Sequence, residues 1–364
     1  RASCEKGNAR IGAGARCGRE ERNGNMARIQ IGQTGMEVEQ NGFGALPIQR
    51  ISRKEAVDLL RRAHDGGMTF FDTARGYTDS EEKLGEAFEG MRSQVVIATK
   101  TMARDAAGFR AHLETSLRLL RTDYIDLYQF HTPPFCPRPG DGSGLYEEMC
   151  KARDEGKIRF IGITNHRPDV AREAVASGLY ATLQFPFNYL SSEAEIALVE
   201  SCREKGMGCI AMKALSGGLI TNARAACAWL SQYDHVIPIW GIQRERELDE
   251  FLACIRTTPQ LDAAMQAVIE ADRAELQGDF CRGCGYCMPC PQGIAISMCA
   301  RAALLLRRAP TEIILGESGR EMMRKVETCT ECGLCASKCP YGLDTPALLK
   351  KNHHAFLEMT ASLP

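Results

Sequence analysis

Two groups of residues in this 364-residue chain have types and spacings that a fold alone does not require. The first begins at Phe70-Phe71-Asp72-Thr73-Ala74-Arg75-Gly76-Tyr77. A short apolar run, Met68 to Phe71, meets a carboxylate at its tip, and a tyrosine follows five residues later on a turn containing glycine. Lys100 ends the next apolar run and His131 the one after it. A phenol ionises near pH ~10 and releases its proton poorly at neutral pH, but a neighbouring ammonium stabilises the phenolate. A carboxylate behind the lysine keeps it charged and oriented, and a histidine can hydrogen-bond a substrate oxygen. Such a set can protonate a carbonyl oxygen while hydride reaches the carbon, and the hydride has to come from a cofactor. The second group is two cysteine runs, Cys281-x-x-Cys284-x-x-Cys287-x-x-Cys290-Pro291 and Cys329-x-x-Cys332-x-x-Cys335-x-x-x-Cys339-Pro340. Thiolates two residues apart on a tight loop can reach several corners of one metal cluster. Four thiolates would also satisfy a zinc ion, although zinc ribbons pair two Cys-x-x-Cys knuckles instead of stringing three or four together.

The elements that position these residues alternate. Strands are predicted at Val38–Gly44, Thr69–Thr73, Val95–Lys100, Ile125–His131, Phe160–Asn165, Leu183–Asn188, Cys209–Lys213 and Val236–Gly241, with helices between and after them near 53–65, 80–90, 106–120, 143–155, 167–176, 192–204, 222–231 and 243–254. Eight such pairs imply an α/β fold, a closed (β/α)8 TIM barrel. A doubly wound open sheet is the alternative, but no G-x-G-x-x-G turn follows the first strand. Ser52-x-x-Glu55 is a capping box, Gly66-Gly67 ends that helix, and Ser80 is expected to cap the next. The rhythm stops after about residue 257, and a helix over 261–277 leads into a small, mostly helical domain with further helices near 300–307 and 321–326. The expected domains are therefore 26–257 and 258–364. Residues 1–25 are expected to be a non-native or disordered extension, since Gly18–Arg22 reads like a translated ribosome-binding site ahead of a start at Met26.

The segments FFDTARGY, VVIATK, DYIDLYQFH and GITNH make the stretch from about Arg28 to Leu252 resemble the aldo-keto reductase family. By that resemblance Tyr77 is the general acid, Lys100 tunes it, Asp72 partners Lys100, and His131 orients the substrate carbonyl. Asn165 and Gln184 would hold the nicotinamide carboxamide, with Thr164 in place of a usual serine. Met212 stands where an aromatic often stacks on the nicotinamide, and Glu250 would meet the adenine. The usual 2′-phosphate arginine is replaced by Glu247, with Arg244 and Arg246 nearby, so the cofactor is NADPH or NADH. His166 reads as a solvated loop residue or pocket rim, and Cys136 as a pocket or surface thiol. The cysteine runs resemble a bacterial two-cluster ferredoxin. That resemblance implies two [4Fe–4S] clusters, one on Cys281, Cys284, Cys287 and Cys339 and the other on Cys329, Cys332, Cys335 and Cys290.

The totals agree with an enzyme of this kind. A formal charge of −1 provides no field for nucleic acid or an anionic membrane, and no apolar run reaches the roughly 18 residues of a bilayer span. Of seventeen cysteines, eight sit in the two runs; in a chain without a secretory signal this points to metal or clusters and a cytoplasmic location. Cys299 reads as a buried thiol, and Cys202, Cys209, Cys227 and Cys254 as small core residues. The partners expected are a small carbonyl or alcohol and a redox partner protein. The alternative function is iron–sulfur electron transfer or redox sensing, with a barrel that binds nicotinamide without significant turnover. The clusters would be an electron relay or a structural clamp.

Overall fold

The computed structural model describes residues 28–276, 280–308 and 312–361; the extension expected over 1–25 lies outside them. The chain opens with an antiparallel hairpin of β1 (Arg28–Gln30) and β2 (Glu37–Glu39). Eight parallel strands follow: β3 (Gly42–Gly44), β4 (Phe70–Asp72), β5 (Val96–Thr101), β6 (Ile125–His131), β7 (Ile158–Thr164), β8 (Thr182–Pro186), β9 (Gly208–Met212) and β10 (Val236–Gly241). β10 pairs with β3 and closes the barrel. Between and after them run α1 (Arg53–Asp65), α2 (Ser80–Ala87), α3 (Ala106–Leu119), α4 (Leu145–Asp154), α5 (Pro168–Ser177), α6 (Glu193–Glu204), α7 (Ala223–Leu230) and α8 (Glu245–Arg256).

The first predicted strand divides in two. Val38 belongs to the hairpin, and the barrel strand β3 starts only at Gly42. Ile29, Ile31, Met36 and Val38 of the hairpin pack on Phe70, Ala98, Leu127, Ile210 and Ile237, the inward-facing residues of the strands. The hairpin is thus a stopper under the barrel, which explains an apolar residue that an isolated strand tip would not need. It seats backbone to backbone: Gly32, at φ +49°, lies where a Cβ would come within 2.6 Å of the Gly206 carbonyl.

α1 begins with the predicted capping box: Glu55 N donates to Ser52 Oγ at 3.3 Å and Ser52 N to Glu55 Oε2 at 2.9 Å. Ser80 does not cap α2. Its hydroxyl is buried, donates to the Ala45 carbonyl at 2.9 Å and meets Thr73 Oγ1 at 2.8 Å, pinning the loop after β4.

After α8 the chain forms α9 (Ala263–Glu275), α10 (Ile296–Cys299), α11 (Ala302–Arg308), α12 (Glu312–Leu315), α13 (Glu317–Arg324), α14 (Leu334–Ser337) and α15 (Thr345–Thr360). Their core gathers Leu276, Ile294, Ile296, Cys299, Met323, Leu349 and Phe356, together with Leu219 from the loop after β9. Leu219 is wholly buried there, so its side chain ties the second core to the barrel with about 2 kcal/mol of burial. No helix among the described residues is long and apolar enough to cross a membrane.

Candidate active site and cysteine-lined cavities

A strand alternates its side chains between two faces. Phe70, Ala98, Leu127 and Ile210 face inward. Two or four residues further along the same strands, Asp72, Lys100, Gln129, His131 and Met212 therefore face inward as well, at the C-terminal end. The register aligns Lys100 with Gln129, His131 with Thr164, and Thr164 with Gln184. The polar tips thus form a ring around one mouth.

Lys100 Nζ donates to Asp72 Oδ2 at 2.7 Å and to the Thr73 carbonyl at 2.5 Å, and both side chains of the pair are almost wholly buried. Burial pushes the Asp72 carboxyl up, and Lys100, then Gln184, pull it back down. Gln184 Nε2 reaches across the lumen to Asp72 Oδ2 at 3.4 Å while its Oε1 accepts from Gln129 at 3.0 Å. Tyr77 arrives from the loop after β4, with Lys100 Nζ 5.1 Å from its ring centroid and His131 edge-on at 5.7 Å. All four residues of the expected Asp–Tyr–Lys–His set converge. The balance on Tyr77 is not the one expected, however: burial pushes its phenol up more than Lys100 pulls it down, and Asp72 adds to the rise. Burial first, then Lys100, depresses the His131 imidazole to about 3, so the ring is neutral.

Asn165 and Thr164 lie buried at the same mouth. Asn165 Nδ2 donates to the Pro133 carbonyl at 2.8 Å, and its Oδ1 accepts from Arg167 N at 2.9 Å and from the Tyr286 hydroxyl at 3.0 Å. Met212 packs on the inward core. Glu250 stands apart from this group, exposed on α8 with its charge felt by Cys227 and Cys254. Glu247 accepts from Gln243 N at 2.9 Å and Arg244 N at 3.1 Å, and so caps α8. His166 is not solvated: neither buried ring nitrogen has a partner, Tyr286 packs edge-on at 5.9 Å, and burial drives the imidazole far below its usual range. Cys136 is not a surface thiol either; it is 3% exposed, with Sγ 3.8 Å from Tyr180 Oη.

Buried polar atoms without partners gather at this mouth: Asp72 Oδ1, Gln129 Oε1, His131 Nδ1 and both His166 nitrogens. Buried polar groups are otherwise satisfied almost everywhere in proteins, so this set fits a polar ligand such as a nicotinamide with its substrate. Three of the participants lay outside the sequence reasoning. Gln129 could have been found two residues before His131 by strand alternation. Tyr286 and Lys213 carried no local signal, because they matter through contacts with distant loops.

The cysteine-rich domain covers part of the mouth. Tyr286 sits between two cysteines of the first run and bonds Asn165. Tyr341 Oη donates to the His166 carbonyl at 3.3 Å, and Lys213 Nζ, just past β9, donates to the Arg282 carbonyl at 2.7 Å. On the flank, Arg308 pairs with Asp272 at 2.9 Å and donates to the Leu219 carbonyl at 2.9 Å. Tyr189 hydrogen-bonds Asp272 from the barrel side.

The eight run cysteines line two cavities. One is bounded by Cys281, Cys284, Cys287 and Cys339. The other is bounded by Cys290, Cys329, Cys332 and Cys335, with Cys287 on the shared wall. Each cavity thus draws its fourth thiol from the other run, the crossing that the ferredoxin resemblance implies. Among the described residues no three cysteine, histidine or carboxylate side chains converge on one ion-sized point. A zinc ion needs its thiolates about 2.3 Å away, whereas thiols spread around a cavity suit a larger inorganic core.

Residues 40–228 match the model of the aldo/keto reductase family, and residues 280–344 match that of the 4Fe-4S dicluster domain. Aldo-keto reductase YhdN of Bacillus subtilis is 33% identical over 217 residues, covering 54% of this chain and 64% of that protein. The L-galactose dehydrogenase of Arabidopsis thaliana is 30% identical over 220 residues, or 54% of this chain and 69% of that one. The chain therefore spans less than two thirds of YhdN's own length. An aldo-keto reductase of Klebsiella pneumoniae, solved in complex with NADPH, superposes with a TM-score of 0.59 at 25% identity, covering 68% of this chain and 95% of that one. One from Bacillus halodurans in its holo form shares the fold, with a TM-score of 0.60 at 21% identity, 68% of this chain and 96% of that one. By these matches this chain belongs to the aldo/keto reductase family and carries a 4Fe-4S dicluster domain at its C-terminal end.

Proposed function

We propose that the chain is an NAD(P)H-dependent oxidoreductase that interconverts a small carbonyl compound and its alcohol, with residues 26–257 as the catalytic barrel and 258–364 as an iron–sulfur domain holding two [4Fe–4S] clusters. The observation that carries this reading is the convergence of Asp72, Lys100, Tyr77 and His131 at one mouth. The nicotinamide, when bound, supplies the hydride. Tyr77 holds the proton for the substrate oxygen, and its raised phenol keeps that acid loaded until a substrate oxygen takes the proton. Lys100 then stabilises the phenolate left behind, and Asp72 fixes Lys100 in place. Neutral His131 offers a ring N–H to the substrate oxygen and sets its angle. Asn165, Gln184 and Thr164 are the candidate carboxamide contacts, Met212 the apolar wall beside the ring, and Glu250 the outlying adenine contact. With Glu247 committed to the α8 cap, NADPH stands only slightly ahead of NADH.

Each cluster would be held by three thiolates of one run and one of the other. A [4Fe–4S] centre passes one electron at a time, and hydride transfer moves two. The clusters therefore serve as a relay to a redox partner or as a clamp. The second reading, an electron-transfer or redox-sensing protein in a cytoplasmic setting, is favoured by the cysteine-rich domain standing over the mouth.

The deciding measurement is carbonyl-dependent NAD(P)H oxidation by anaerobic holoprotein. Tyr77→Phe is expected to lower kcat by about 10²- to 10⁴-fold with cofactor affinity retained. An unchanged rate would overturn the mechanism; a wild-type protein that binds NADPH and turns over no carbonyl would favour the second reading.

A further inference from the structure

Arg301 and Lys213 each spend a hydrogen bond on a backbone carbonyl and not on a carboxylate, and both lie beside the same cysteines. Arg301 is 9% exposed and donates from Nε to the Ser297 carbonyl at 3.0 Å. Its guanidinium is wedged between two loops. A Cβ on Gly283, between Cys281 and Cys284, would lie 2.6 Å from Arg301 Cζ, and one on Gly217, in the loop after β9, would lie 2.8 Å from Nη1. Lys213, in a left-handed conformation at φ +55°, is half-buried and spends its ammonium on the Arg282 carbonyl. The contacts of both cations, Gly283 for Arg301 and the Arg282 carbonyl for Lys213, lie between Cys281 and Cys284 in the chain.

The other groups nearby do not neutralise them. Glu195 lines the same cavity as Lys213 but accepts from Ser192 N at 2.8 Å and Ser192 Oγ at 2.9 Å. Arg282 adds a third positive charge, lying over the Tyr341 ring at 4.5 Å. His166, also facing Lys213, is neutral. A buried cation without a counter-charge is destabilising, and an anion carried by those cysteines would compensate both side chains. A cluster bound by four thiolates is such an anion, and its negative charge grows by one on reduction, with no proton needed for balance.

We propose that Lys213 and Arg301 are the counter-charges of the cluster on Cys281, Cys284, Cys287 and Cys339, and that they hold its reduction potential above that of the second cluster. This rests on the two-cluster reading above. The second cavity lacks the device. Cys332 is exposed there, Lys350 is paired with Glu331 at 2.7 Å, and Lys325, facing Gly293, is exposed to water. Fixed charge near a cluster and its exposure to solvent are the levers that set its potential. An electron entering at the exposed cluster would then settle on the one beside the barrel mouth.

An EPR-monitored reductive titration of the full-length anaerobic holoprotein tests this. The wild type is expected to show two unequal midpoint potentials. Lys213→Gln and Arg301→Gln should each move the higher one to more negative values and leave the lower one in place, while Lys213→Arg restores it and Lys350→Gln moves neither. If Arg301→Gln fails to load iron, the Lys213 pair of variants decides. Loaded protein whose potentials ignore Lys213→Gln would sink this proposal alone. A reduced wild type without cluster signals would sink the two-cluster reading and this proposal with it.

Discussion

Tyr77 is an acid whose surroundings oppose its ionisation. Burial and Asp72 push the phenol above its ordinary value, and only Lys100 pulls the other way. The consequence for pH follows in two steps. Under the proposed mechanism the protonated phenol is the active form for carbonyl reduction, and a raised pKa keeps that form populated throughout the range below about 10. His131, depressed to about 3, is neutral over the same range. The rate of carbonyl reduction by saturated holoenzyme should therefore be flat from about pH 6 to 9. A limb with an apparent pKa near 6.5 that vanishes in His131→Asn would show that the imidazole titrates after all. The sign for stability is the reverse of a salt-bridged histidine. Because the folded His131 resists protonation, the unfolded chain takes up that proton first on acidification, so stability is lost as pH falls from about 6.5 toward 3. Asp72, Lys100 and His131 were legible in the sequence because each ends an apolar run, a position where a polar group has no packing role, and Tyr77 because it follows Asp72 on a glycine-containing turn. Gln129, Tyr286, Lys213 and Arg301 were not. Gln129 hides inside a strand, and the other three acquire meaning from loops that are distant in sequence.

Elements position these residues through close backbone approaches as much as through side chains. Gly85 on α2 packs so near the end of α3 that a Cβ would stand 2.1 Å from the Leu119 carbonyl. α2 follows directly on the Tyr77 loop, which Ser80 pins to Ala45 and Thr73. Gly85→Ala should therefore cost about 1–3 kcal/mol in overpacking and loosen the Tyr77 loop along with it. Thermal melts and the KM of the carbonyl substrate would read the two effects separately, and a variant as stable as wild type would refute the packing claim. Seven of the eight barrel strands were evident from their apolar runs. The first merged with the hairpin because Gln40 and Asn41 make only a brief polar break, too short to separate Val38 from Phe43 by pattern. Ser80 was misread for a related reason: a serine ahead of a helix is usually a cap, and here it was taken up by tertiary contacts instead.

At the scale of the whole molecule, the joint between barrel and cysteine-rich domain is polar, buried and centred on Asp272. Arg308 and Asp272 are nearly sealed, at 9% and 12% side-chain exposure, so removing one partner leaves the other charge without compensation. Arg308→Met should destabilise the docking of the second domain by about 3–5 kcal/mol, visible as earlier proteolysis between α9 and α11 in holoprotein. Unchanged cleavage would mean that the pair contributes little. The two-domain plan was readable from the cysteine spacing. The docking was not, since no local pattern encodes which loop Tyr286 will meet.

The hairpin beneath the barrel gains a further meaning from that joint. It closes one end of the barrel, and the cysteine-rich domain covers part of the mouth at the other. The contacts of Tyr286 with Asn165, Tyr341 with His166 and Lys213 with Arg282 stand at the edge of that mouth. The same few hydrogen bonds that join the domains therefore border the site. A change that tightens the union of the domains should lengthen the stay of a ligand at the mouth, and one that loosens it should speed exchange.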